Sequence, residues 1–175
     1  MKTSCIRPLA LAGALLCASA PAFAEDVFVR LKPFEEVPAL SSTGAGTFFA
    51  RIDAAAGTIA YRLSYSGLQG DVRQAHIHFG QRSVNGGISV FLCQTSFNPD
   101  ATGLAPTCPQ SGTVSGVLSA DNVIGPAGQG ISASEFAELV RAIRSGVAYV
   151  NVHSTTFPGG EIRGQLNELR NVLSF

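Results

Sequence analysis

Residues 74–79 read Gln-Ala-His-Ile-His-Phe. Polar and apolar residues alternate there with a period of two, the pattern of a half-buried strand whose successive side chains point to opposite faces. Ala75, Ile77 and Phe79 belong to the core face, which leaves Gln74, His76 and His78 on the outer side of the sheet. With the rise of an extended chain, the two histidines stand about 7 Å apart at Cα.

Outward from this stretch the same rhythm repeats. Short alternating runs fall at 27–31, 46–52, 58–65, 73–79, 87–92, 113–118, 147–153 and 161–166, with Gly, Pro, Asn and Asp between them. Eight or so short strands separated by turn formers predict an all-β fold, an antiparallel Greek-key sandwich or barrel. One segment differs. Ser132-Ala-Ser-Glu135 has the spacing of a capping box, Phe136, Leu139, Val140 and Ile143 follow at helical spacing, and Gly146 offers a stop. A single crossover helix is therefore expected over about 133–145.

The amino-terminal stretch is not part of this domain. Lys2 and Arg7 precede an apolar run over 9–18, and Ala22-Phe23-Ala24 forms an A-x-A cleavage site. Together they predict a secretory signal peptide over 1–24, a mature domain over 25–175, and a periplasmic or secreted location. The apolar run is too short for a transmembrane span and is followed by Pro21. Leu16 sits before Cys17 where a lipid-attachment site wants a small residue, so ordinary cleavage after Ala24 is expected. Cys93 and Cys108 then remain, and in an oxidising compartment they make one disulfide around a loop of 14 residues, 94–107. Its turn formers make self-ordering by packing alone unexpected. Removing Lys2 and Arg7 from 12 basic and 12 acidic residues leaves 10 against 12, a net charge of −2. With no basic patch, nucleic acid and anionic membrane surfaces are excluded as partners.

In Ala148-Tyr-Val-Asn-Val-His153, Val150 and Val152 point inward, while Tyr149, Asn151 and His153 point outward. Across the next loop Ile162 and Leu166 point inward, and Glu161, Arg163 and Gln165 outward. Polar residues of three segments can thus share one face. Four stretches in order, Leu31-Lys-Pro-Phe-Glu-Glu-Val-Pro38, Ala75-His-Ile-His-Phe-Gly80, Tyr149-Val-Asn-Val-His-Ser154 and Pro158-Gly-Gly-Glu-Ile-Arg-Gly-Gln165, resemble the signature of the CHRD domain family from about Val27 to Leu166. The chain departs from that pattern at Val37-Pro-Ala39, where a second proline is common, and at Ser154, where threonine is usual. The resemblance implies an antiparallel β-sandwich or barrel that acts as an exported binding or interaction module, its partner an unidentified protein or small ligand.

Two readings compete for the polar face. In one, His76, His78 and His153 are metal ligands for copper or zinc, with Glu161 completing the shell or orienting a ring, and Tyr149, Asn151, Arg163 and Gln165 frame the pocket. In the other, the same residues form a satisfied polar network that ties strands and loop together. Histidine-x-histidine on a sheet face is similar to the copper-ligand strand of copper–zinc superoxide dismutase. A metal-dependent redox enzyme of that type is therefore an alternative, although its full ligand set would need histidines this chain lacks. No catalytic residues are assigned, since no nucleophile elbow, phosphate loop or free thiol stands out. A third alternative is a purely structural protein–protein interaction domain, marked by an exposed apolar patch around Phe91, Phe97 or Phe157.

Overall fold

A computed structural model describes residues 24–166 and 169–170; the expected leader falls, but for Ala24, outside them. Three strands, β1 (Glu25–Leu31), β2 (Ala45–Asp53) and β3 (Thr58–Ser66), run as an antiparallel meander. Alternation is strict along β2 and β3. Phe48, Ala50, Ile52, Ile59, Tyr61, Leu63 and Tyr65 are buried, whereas Thr47, Phe49, Arg51 and Arg62 face outward and are exposed.

After β3 the chain crosses to a second sheet for β4 (Val72–Phe79) and β5 (Gly87–Cys93), then returns to lay β6 (Gly112–Leu118) beside β3. It then passes through helix α1 (Phe136–Arg144) to β7 (Ala148–Ser154), which pairs with β4. The strand β8 (Ile162–Gln165) follows beside β7, and the two-residue β9 (Leu169–Arg170) rejoins β1. The result is a sandwich of a five-stranded sheet, ordered β6-β3-β2-β1-β9, on a four-stranded one, ordered β5-β4-β7-β8. The sheets stay open at their edges, so the barrel form of the expected fold is not the one adopted.

One contiguous core lies between the layers, where Phe48, Leu63, Ile77, Leu92, Val150 and Ile162 interdigitate. The crossover helix closes one side with Leu139, Val140 and Ile143. It begins at Phe136, later than expected, because Ser134 takes a left-handed φ of 66° and cannot continue a helical turn. Half of the capping box survives, with Glu135 Oε2 accepting from the Ser132 amide at 2.6 Å. Among the described residues no helix is long and apolar enough to cross a membrane.

Cys93 and Cys108 form the expected disulfide. Their loop orders itself through polar groups: the Asp100 carboxylate accepts from Thr102 and Ala105, and Gln94 donates to the Ala105 carbonyl. The apolar patch that would mark a recognition surface does not form around Phe91. That ring is buried, whereas Phe97 projects from the disulfide loop at 82% exposure.

Candidate metal centre

Strand β4 presents His76 and His78 on the outer face of the four-stranded sheet, as the alternation requires. That face, however, is not at the surface. His76 is fully buried, His78 and His153 nearly so, and every residue of β7 and β8 is buried on both faces. The histidines expected on the open side of a half-buried strand are therefore buried. Three loops cover it.

The first cover follows β1. Its 3-10 turn Pro33–Glu35 lies along β8, joined by paired backbone bonds between Lys32 and Arg163. The second is the β4–β5 loop, 80–86, and the third the β7–β8 loop, 155–161. Asn85 donates to the Val37 carbonyl, and Arg82 pairs with Glu35, which ties the first two covers to each other.

Arg163 is the main fastener beneath them. Its guanidinium donates to the carbonyls of Gln81 and Val84 and to the Asn85 side chain, and stacks 3.4 Å above the Tyr149 ring. Gln165 donates to the carbonyls of Gly80 and Gly146, and the Tyr149 hydroxyl accepts from the Gly86 amide. Gly86 is needed where it stands, because a Cβ there would lie 1.8 Å from the Phe79 carbonyl oxygen.

Inside this enclosure β4 and β7 bring the three histidines together. Gln74 pairs with His153, His76 with Asn151 and His78 with Tyr149, so His153 lies diagonally across from His76. Diagonal neighbours are within reach of long side chains. The pairing of β4 with β5 is irregular between Ala75 and His76 and again between Ile77 and His78. Such irregularities re-aim side chains. Each histidine offers one nitrogen, and the three lie within 4.8 Å of one another.

Hydrogen bonds fix most of the protons. A carbonyl can only accept, so His78 Nδ1–H donates to the Gly86 carbonyl and His153 Nδ1–H to the Pro158 carbonyl, each at 2.9 Å. Both Nε2 atoms therefore carry lone pairs. His153 Nε2 meets His76 Nδ1 at 3.1 Å, whereas the Nε2 atoms of His76 and His78 find no protein partner. Burial pushes all three rings toward the neutral form, His78 and His153 from 6.5 down to about 4, with His76 also driven well below its ordinary range. The neutral imidazole, not the imidazolium, is the form that binds a metal. His78 stacks on Tyr149 at 4.8 Å and His76 meets Phe91 edge-on at 4.3 Å, which limits ring rotation.

Glu161 stands apart from the cluster. Its Oε1 accepts from the Ser42 hydroxyl at 2.5 Å and the Gln69 amide at 2.8 Å, and the carboxylate is not among the donor atoms that converge. Its place near the ring nitrogens is not taken by another carboxylate ligand. A residue that the alternation did not single out is a second buried carboxyl under the cover. Glu36 is 6% exposed and faces a cleft of about 210 Å³ lined also by Asn85, Pro158 and Gly160. A wider cleft, about 560 Å³, opens on the outer face of the five-stranded sheet, but its Ser64 and Thr113 hydroxyls satisfy each other and it holds no buried polar atom without a partner.

The family model of the CHRD domain matches residues 27–166. This chain belongs to the CHRD family. The match spans all four stretches that carried the resemblance, so all but the first two residues of β1, the strands β2 to β8 and all three histidines lie inside the CHRD domain. Compared with curated proteins and with solved structures, the chain finds no match.

Proposed function

We propose that this CHRD domain is an exported binding module whose three-histidine cluster takes one copper or zinc ion. The family supports an interaction module in general. What favours a metal within it is one observation: two imidazoles whose Nδ1 protons are pinned by backbone carbonyls turn Nε2 lone pairs into a buried cluster with a third ring. Pinning of this kind sets the tautomer and orientation of metal-binding histidines. A polar network serving stability alone would pair its nitrogens, yet two ring nitrogens here are buried without a protein partner. Imidazole donors suit copper and zinc, and a cation between the rings would take the His153 lone pair that His76 now occupies.

Metal content of the signal-free protein, compared with His76→Ala and His153→Ala, tests the reading. One copper or zinc per wild-type chain, lost in both variants, is the expected result. No binding by the wild type, with lowered melting temperatures in both variants, would assign the cluster a structural role.

A further inference from the structure

Three neutral imidazoles bring no negative charge to a cation, and the charged groups that the rings feel, Arg163 at His78 and Arg73 at His153, are both positive. The cleft lined by Glu36, Asn85, Pro158 and Gly160 runs along the loop whose Pro158 carbonyl orients His153, and the Glu36 carboxyl supplies what is missing. Glu36 follows the 3-10 turn, and its amide donates to the Pro33 carbonyl at 3.1 Å, which sets the side chain inward. Its Oε1 is buried with no protein partner. Gly160 shows how near this carboxyl lies to the histidine strand: a Cβ there would sit 2.6 Å from Glu36 Oε1 and 2.6 Å from Asn151 Nδ2. Asn151 pairs with His76 across the sheet, and the loop holding Gly160 also holds Pro158, whose carbonyl orients His153.

We infer that Glu36 is the specificity-determining charge of this site, lining the cleft through which a cation reaches the histidines and favouring a divalent ion over a monovalent one. The inference rests on the metal reading above. Coulomb energy scales with the charge of the ion, so a nearby carboxylate contributes twice as much to zinc(II) as to copper(I). No group facing Glu36 pairs with its Oε1. Arg163 from β8 is committed to the carbonyls of Gln81 and Val84, Tyr149 from β7 is uncharged at neutral pH, and Glu35 pairs with Arg82 at the rim. Burial raises the Glu36 carboxyl to about 8, against the pull of Arg163, so at neutral pH it holds a proton that an arriving divalent cation displaces into solvent.

Competition titrations with zinc(II) and copper(I) on the full mature domain, for wild type, Glu36→Gln and Glu36→Asp, test this. Glu36→Gln should weaken zinc about tenfold or more and copper(I) by about threefold or less, in the range that outer partners of metal ligands command. Glu36→Asp should keep the zinc preference. Zinc uptake at pH 7 should release about one proton more from wild type than from Glu36→Gln. Equal losses for the two ions, no loss for either, or binding of copper(I) alone by wild type would overturn the inference while leaving the histidine site standing. Binding of neither ion by wild type would remove both.

Discussion

On the outer face of the five-stranded sheet Arg62 sits across from Phe49, and both meet water; on the outer face of the four-stranded sheet Arg163 lies on Tyr149, and both are buried. The local ingredients match, with a cation beside an aromatic ring on an outward position of an alternating strand. What differs is the cover. Loops 32–44, 80–86 and 155–161 close over the second sheet, and among the described residues nothing comparable closes over Arg62, which is exposed. Under the cover, polar side chains must find partners, change protonation or stay unmet, because a buried polar group without a partner costs free energy. Most find partners. Among those that do not are the ring nitrogens of His76 and His78, one oxygen of Glu36, and the side-chain oxygens of Asn151 and Gln165 beside them, with one oxygen of Glu161 unmet as well.

The largest expected consequence of that cover is a dependence of stability on pH. His78 and His153 titrate near 6.5 when unfolded and near 4 when folded, so their neutral forms stabilise the fold fully above pH 6.5. That contribution is lost as pH falls through the window from 6.5 to 4, on the order of 3 kcal/mol for each ring. Glu36 runs the other way: its folded value near 8 lies above the unfolded 4.5, so its contribution is full below pH 4.5 and lost as pH rises toward 8. Urea unfolding of the metal-free protein between pH 8 and 4 should show the two limbs. A His78→Gln/His153→Gln double variant should flatten the acid limb, and a wild type whose stability does not fall below pH 6.5 would mean the rings are open to water.

The arginine pair tests the cover directly. Arg163→Ala should cost about 3 kcal/mol, since three carbonyl and amide acceptors lose their buried donor. Arg62→Ala should change stability by about 0.5 kcal/mol or less, as exposed positions do. Chemical unfolding of the two variants side by side checks this, and similar losses would erase the distinction between the faces.

The disulfide gives a comparable but differently located effect. Replacing Cys93 and Cys108 together by Ala should lower stability by about 3 kcal/mol, the loop-closure value for about 15 residues. It should leave the proposed metal binding intact, because the Cys93–Cys108 loop is not among the three covers. Loss of metal with the disulfide would extend the cover to a fourth segment.

Much of this was legible in the chain. The strand pattern put His76, His78 and His153 on outward positions that can share one face, and the structure pairs their strands and brings their donor atoms together. Arg163, Gln165 and Tyr149 were readable as neighbours of that cluster, though not as the fasteners of the β4–β5 loop. Glu161 was misplaced, because its position next to β8 suggested an outward carboxylate while Ser42 and Gln69 draw it elsewhere. Glu36 could not be picked out, since it follows Glu35 in an irregular segment. Nothing in local spacing separates the one that pairs at the rim with Arg82 from the one that is buried.

The sequence by itself determined which side chains of each strand share a face, because a period of two is a property of the extended backbone and needs no knowledge of distant residues. It determined the family and the cysteine pair in the same local terms. Only the tertiary structure decided that one outer face is sealed and the other bare, that β4 is irregular at both of its histidines, and that Glu36 turns inward beside Gly160. Those outcomes depend on loops with no periodicity, held by contacts between residues some 50 to 130 positions apart, such as Val37 with Asn85 and Lys32 with Arg163. Alternation says where a histidine points; the loops folded over it decide whether it meets water, and so whether it is a proton acceptor, a structural partner or a ligand.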